Sequence, residues 1–298
     1  MPTFVILAHR DPELVARLAR HLSPFPVVVH VDRKTQISSF QRGLHGIPEL
    51  TLLSDTDRVA VNWAGFSMLQ ATVNAFRHAL PRTPADDHVV LLSGQDYPIK
   101  PIADFARYLK TAEHQQHIRM FEITPDQTRY HRHLVGHYLQ DLHLPGPLDH
   151  PRIRRIALRL VRDSLGRRKR TPPPATRFTF GSQWVALTGA CVAWIVENFP
   201  TSPAARFTSR SFAPDEKTIH SMVANSPFAS QIPGGIPEPF AGNGTYRMAN
   251  FHVIDPSLNK IFELSDFDFL AESPHHFARK FTSQSADLAD RIDAELLR

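Results

Sequence analysis

Four short polar clusters carry residue types suited to holding or activating a ligand. Ala8-His9-Arg10-Asp11, His30-Val31-Asp32-Arg33-Lys34 and Ser93-Gly94-Gln95-Asp96-Tyr97-Pro98 each end an apolar run, and Ala213-Pro214-Asp215-Glu216 sets two acids behind a proline. Asp11 or Asp32 alone reads as a helix cap or turn residue. Three such clusters at successive strand ends suggest more, because open α/β sheets bind ligands at the carboxyl ends of their strands. The arrangement suggests a nucleotide site. Pro214-Asp215-Glu216 has the form of a first helical turn, where acids suit the dipole; that form leaves Glu216 able to face a cleft. Neither the dinucleotide fingerprint nor the GxxxxGK[ST] loop occurs, which argues against a dinucleotide oxidoreductase or a P-loop enzyme.

The elements that would position these clusters are written in the periodicity. Thr3–Ala8, Pro26–Val31, Leu50–Leu53 and Val89–Leu92 are short apolar runs that predict buried strands. Between them, Pro12–His21 and Phe66–Leu80 have helical spacing, through Leu14, Val15 and Leu18 in the first and Leu69, Val73, Phe76 and Leu80 in the second. This alternation predicts an α/β fold with a mostly parallel sheet and helices on both faces. Further on, Ile118–Ile123 predicts a strand ending near Glu122, Phe178–Leu187 another, Gly189–Asn198 a helix, and Ser283–Arg298 an amphipathic closing helix. With 298 residues the chain is expected to form one large domain or two intimately packed ones.

Charge is concentrated. From Arg152 to Arg170 there are nine Arg or Lys residues and one acid, Asp163, a local balance of +8 in a chain of +5, so the remainder is net acidic at −3. This basic insertion, 151–174 with its Pro-rich end, places Ile153, Ile156, Leu160 and Val161 on one helix face and Arg155, Arg159 and Arg162 on much of the other. Packing of the apolar face on the domain is expected; the sharper alternative is peripheral contact with anionic membrane. The run lacks interleaved aromatics and a recognisable RNA module, so a nucleic-acid partner is not expected. No apolar run reaches the roughly 18 residues of a membrane span, and the N-terminus lacks a secretory pattern. The single cysteine, Cys191, allows no internal disulfide. A cytoplasmic setting is expected. Seventeen histidines invite a metal hypothesis. The pair His133 and His137, with His131, His143, His150, His275 and His276 nearby or downstream, lacks the Glu of a HExxH site, and no metal is expected there.

Several stretches together resemble the core-2/I-branching β1,6-N-acetylglucosaminyltransferase (Branch) family, which includes the peptide O-xylosyltransferases. They are Ile6-Leu7-Ala8-His9-Arg10, His30 to Lys34, Trp63-Ala64-Gly65-Phe66-Ser67, Leu92 to Lys100, Gly181-Ser182-Gln183-Trp184, Ala213 to Glu216, and Phe277-Ala278-Arg279-Lys280-Phe281. Their order and spacing cover nearly the whole chain. The resemblance implies a single GT-A type domain, with a nucleotide-sugar-binding half over 1–125 and an acceptor-binding, catalytic half over 126–298, and an inverting, metal-independent transfer from a UDP-sugar donor, UDP-N-acetylglucosamine first and UDP-xylose second. It implies Glu216 as general base, with Arg247 and Lys280 neutralising the leaving diphosphate. Asp32 and the backbone near Ala8 and His9 would meet uracil or ribose. Gln95 and Asp96 would lie near the donor sugar or pyrophosphate, and Glu122, Arg129 and Arg132 would line an acceptor groove. Trp184 is either a sugar-stacking face or a core tryptophan.

Metal-using GT-A enzymes carry Asp-x-Asp after the fourth strand, where this chain has Ser93-Gly94-Gln95-Asp96 with one acid. Asp55-Thr56-Asp57 follows the third strand instead, and Asp266-Phe267-Asp268 reads as a helix start. No metal cofactor is expected. The chain lacks the transmembrane stem and disulfides of the animal enzymes and so resembles compact bacterial members, for which a glycan or lipid-linked glycan acceptor fits best. A xylosyltransferase, and a nucleotide- or polysaccharide-binding protein without catalysis, are the alternatives.

Overall fold

A computed structural model describes residues 1–111, 116–142, 151–165 and 169–298. The elements run β1 (Thr3–Ala8), α1 (Pro12–His21), β2 (Val27–Val31), α2 (Ser38–Leu44), β3 (Leu50–Leu52), α3 (Phe66–Ala79), β4 (His88–Ser93), β5 (Asp96–Pro98), α4 (Ile102–Leu109), β6 (Phe121–Glu122) and α5 (Thr128–Val135). There follow α6 (Pro151–Leu165), β7 (Thr179–Phe180), β8 (Ala186–Thr188), α7 (Gly189–Asn198), α8 (Pro203–Thr208), α9 (Thr218–Ala224), β9 (His252–Ile254), α10 (Phe267–Ala271), β10 (Phe277–Arg279) and α11 (Ala286–Glu295).

The main sheet has the order β3-β2-β1-β4-β8, parallel except for β8, which joins β4 antiparallel. Four of its strands, β1, β2, β4 and β8, are buried on both faces, which is why they read as apolar runs, and the edge strand β3 is half-buried. Val5, Val28, Val89 and Leu91 face Leu69, Val73 and Phe76 of α3 and Val192 and Ile195 of α7. The alternate residues Phe4, Ile6, Val27, Val29 and Leu92 face Val15 and Leu18 of α1, Phe40 of α2 and Phe105 of α4. Helices therefore cover both faces of the sheet. Pro12 opens α1 at the one end where its missing N–H costs nothing, and the Thr188 side chain accepts from Cys191 N–H (3.3 Å) to open α7.

The C-terminal part returns to the N-terminal sheet. β10 pairs antiparallel with β5, setting Arg279 opposite Asp96, and parallel with β9. A separate apolar cluster of Tyr97, Phe262, Leu270, Phe281, Leu288 and Ile292 seats α11 behind this small sheet. The run Phe178–Leu187 is not one strand. It pairs with β6 over Thr179–Phe180, breaks at Gly181 to Gln183, and joins β4 at Ala186.

The expectation that α6 packs its apolar face on the domain is not met. Ile153, Ile156 and Leu160 are 42, 60 and 65% exposed. The side chains of Arg152, Arg155, Val161 and Arg162, and the residues His143 and His150, lie outside the described residues. Among the described residues, no helix is long and apolar enough to cross a membrane.

Candidate active site

A cleft of about 440 Å³ opens at the carboxyl ends of β1, β2 and β4. Its walls carry Ala8, His9, Asp32, Gln95, Trp184, Glu216 and Lys280, so seven of the side chains singled out by sequence meet in one place. Arg10, Trp63, Gln183, Asp215, Thr245 and Arg279 join them. A more open groove of about 490 Å³ lies beyond His252, lined by Arg119, Phe269 and His275 among others. Its arginine is consumed by a two-pronged pairing with Glu238 (2.7 and 2.8 Å), and it gathers none of the strand-end clusters.

Glu216 ends a short 3₁₀ turn, Pro214–Glu216, launched from Ala213 in the left-handed region (φ 46°). Thr245 Oγ1 donates to Glu216 Oε1 at 3.0 Å. Burial pushes the Glu216 carboxyl above the usual carboxylate range, and the adjacent Lys217 charge opposes that rise. Burial, and next the charge of Glu216, push Asp215 up to about 7. Asp215 Oδ1 is buried and has no hydrogen-bond partner among the described residues. Lys217 is fully buried beneath the pair, donating to the carbonyls of Phe212 (2.8 Å) and Ala213 (3.2 Å), with its ammonium 5.1 Å from the Phe180 ring. Burial lowers its pKa, and both carboxylates oppose that shift.

Cations gather on the C-terminal strand. Lys280 lines the cleft half-buried, its pKa lowered by burial and then by the charges of Arg279 and Arg10. Arg279 donates through Nη1 to Asp96 Oδ1 at 2.9 Å and lies 4.5 Å over the Trp184 ring. Asp96 is wholly buried; its Oδ2 accepts from Ser93 N–H (2.7 Å) and meets His252 Nε2 at 3.1 Å. Burial alone would raise its pKa, but the charges of His252 and Arg279 hold it below the usual range. Asp96 thus orients a cation from behind the wall.

The Asp32 Oδ1 atom accepts from the N–H groups of Lys34 (2.9 Å) and Val61 (3.2 Å), which fixes its carboxylate at the end of β2. His9 is depressed by burial and then by Arg10, whose Nε lies 3.0 Å from His9 Nε2. Burial also holds His30 at about 4. At the rim Trp63 is 74% exposed, its ring edge-on to Phe212 at 5.5 Å.

Other expected site residues stand elsewhere. Arg247 is exposed on a 3₁₀ turn, 5.1 Å over Tyr246, and does not line the cleft. Glu122 is exposed and meets Arg177 at 3.5 Å. Arg132 is exposed outside the cleft lining; Arg129, also exposed on α5, lies close enough for its charge to lower the pKa of Glu216. Trp184 is buried in the core with a guanidinium on its ring, as well as lining the cleft. Neither Asp-x-Asp string reaches it. Asp55 pairs with Arg58, Asp57 accepts from Ser54 Oγ (2.6 Å), and Asp266 closes a capping box with Glu263. His133 packs on Phe212 at 4.7 Å, with burial holding it at about 4. Among the described residues, no group of three or more His, Cys, Asp or Glu side chains could hold a metal ion.

Sequence motifs point to Lys280 but pass over Arg279, its neighbour, because only the cross-strand pairing with Asp96 singles it out. Thr245 lies in no motif singled out by sequence, and Trp63 lies in one of the family-like stretches with no role attached to it.

The structure is thus an α/β protein with a mostly parallel sheet, whose strand-end cleft sets a buried carboxylate pair beside a wall of two cations. The family model for the core-2/I-branching enzymes matches residues 3–232. The chain belongs to that family, and its architecture is of the GT-A type. A mouse (Mus musculus) N-acetyllactosaminide β-1,6-N-acetylglucosaminyl-transferase is 24% identical over 93% of this chain and 68% of its own length. A human (Homo sapiens) probable β-1,3-galactosyl-O-glycosyl-glycoprotein β-1,6-N-acetylglucosaminyltransferase 7 is 22% identical over 93% of this chain and 63% of its own. Its pig (Sus scrofa) counterpart is 26% identical over 42% of this chain and 30% of its own. The chain spans between 30 and 68% of the length of these relatives.

Proposed function

We propose that this chain is an inverting glycosyltransferase that moves a sugar from a UDP-sugar to a glycan hydroxyl without a metal ion. The observation that carries the reading is that Glu216, Arg279 and Lys280 line one cleft beside Asp32 and Ala8. In this mechanism Glu216 takes the proton of the acceptor hydroxyl as that oxygen attacks the anomeric carbon. The bond from that carbon to the β-phosphate oxygen breaks on the opposite face, and its electron pair leaves with UDP. Thr245 fixes one carboxylate oxygen of Glu216, which leaves the other for the acceptor. Lys280 and the Asp96-braced Arg279 meet the charge that grows on the diphosphate. Arg279 suits this role better than Arg247, because it is held in the wall while Arg247 points from an exposed turn. Asp96 is engaged by His252 and Arg279, and Asp55 and Asp57 by Arg58 and Ser54, which supports charge neutralisation by cations instead of a metal. The names of the relatives make N-acetylglucosamine the first donor sugar to test. Exposed Trp63 offers a flat apolar face for the acceptor at the rim.

The reading is tested by following UDP release from UDP-N-acetylglucosamine in EDTA, with a panel of glycan acceptors, for the wild type and Glu216→Gln. The expected result is loss of kcat by at least about a thousandfold, with UDP affinity kept within about threefold. Turnover surviving in Glu216→Gln would remove the base assignment. UDP binding with no turnover of any donor in the wild type would mark a binding protein.

A further inference from the structure

Transfer chemistry makes no use of the basic segment. Its last residue, Arg170, is tied into the body by bonds to the carbonyls of Leu134 (2.6 Å) and Gly136 (2.9 Å) and to Ser211 Oγ (3.0 Å), and it lies 4.4 Å over Phe207. Arg152 to Lys169 still carries eight cations against Asp163 alone. Within it, α6 presents Ile153, Ile156 and Leu160 at helical spacing on one stripe, 42, 60 and 65% exposed. Ala157, Leu158 and Leu165, on the adjoining side, are half-buried. The helix therefore rests on a flank and turns its most apolar stripe outward.

An outward apolar stripe among arginines is matched by one surface chemistry: acyl chains beneath anionic headgroups. Nucleic acid supplies the anions but nothing for three aliphatic side chains to enter. We propose that α6 is an amphipathic docking helix for an anionic lipid surface. The described residues that flank the segment are anchored near the cleft mouth. On the N-terminal side Asp141 accepts from Asn62 Nδ2 (3.1 Å) and Ser67 N–H (2.9 Å), around Trp63. On the C-terminal side Arg170 holds Ser211, next to the Phe212 that packs on Trp63. Docking would present the cleft to acceptors carried on the bilayer, a consequence that rests on the proposed transfer; the docking itself does not.

The test is flotation of the full chain with vesicles of phosphatidylcholine alone or mixed with phosphatidylglycerol, at low and high salt. Partition onto the mixed vesicles is expected to exceed that onto the neutral ones by about tenfold or more, and to weaken with salt. Ile156→Ser/Leu160→Ser should lower it about tenfold or more while UDP affinity is unchanged. Absence of binding to the mixed vesicles overturns the proposal. So does binding undiminished in the double variant and matched by poly-glutamate, which would assign the surface to an acidic protein. Neither outcome touches the nucleotide site, because UDP titration reads that separately.

Discussion

Glu216 shares its turn with a second carboxyl and a buried lysine, and the three set one another's protonation. Burial raises Glu216 and Lys217 opposes the rise, so the acid limb of the rate profile should lie above that of an ordinary carboxylate. Removing the ammonium with Lys217→Met should move that limb to still higher pH, with UDP affinity unchanged; an unmoved limb contradicts the assignment of Glu216 as base. Asp215 gives a stability test. Its folded pKa, about 7, lies above its ordinary 3.8, so the folded state binds the proton more tightly. Its contribution favours the fold below 3.8 and is lost as pH rises to about 7. Asp215→Asn should therefore gain stability relative to the wild type on going from pH 4 to pH 8 in chemical denaturation. A constant difference across that range would contradict the raised pKa. At this scale, sequence motifs lead directly to Glu216 and Lys280. They also name Arg247, which stands exposed on a turn outside the cleft lining, because a Tyr-Arg-Met tripeptide shows that a cation exists but not where its turn aims it.

Much of the first hundred residues follows from its periodicity: β1 and α1 have the bounds the pattern predicts, as α7 does further on, whereas α2 and β5 are not among the predicted elements. Legibility fails where one apolar run serves two sheets. Phe178–Leu187 reads as one strand only if the polar Gly181-Ser182-Gln183 is passed over, and the chain breaks there, where a Cβ on Gly181 would lie 2.5 Å from the His220 ring and closer still to the carbonyl of Arg119. Gly181→Ala should shift the segment bearing Gln183 and Trp184. It is expected to cost about 1–3 kcal/mol in denaturant unfolding and to weaken UDP binding. A variant as stable as the wild type would show that the close approach is not required. Arg279 was hidden for a related reason. What selects it is its register against Asp96, 183 residues away, and no local pattern encodes a pairing of that span. Exposed Trp63 belongs to the loop before α3, pinned by Asp141. Trp63→Ala should raise the acceptor KM about tenfold or more while leaving UDP affinity intact. A change in UDP affinity alone would place the ring on the donor side instead.

Across the whole molecule, charge is divided between two surfaces, each with its own proposed task. Lys280 and Arg279 lie inside the cleft, where partial burial strengthens their attraction for a diphosphate. The excess read in the sequence belongs to the segment of α6, whose described Arg159 is exposed, as is the apolar stripe of Ile153, Ile156 and Leu160. The total of +5 hides this division, since the rest of the chain is net acidic. Composition thus located the basic segment, but packing alone shows which face of its helix is left open. The central claim is that the cleft grips a nucleoside diphosphate with the chain's own cations. Calorimetric titration with UDP in excess EDTA, beside Lys280→Ala and Arg279→Ala, tests it most directly. The account expects binding that survives EDTA and weakens by about tenfold or more in each variant. Binding that appears only when a divalent ion is restored, or that ignores both substitutions, would contradict it.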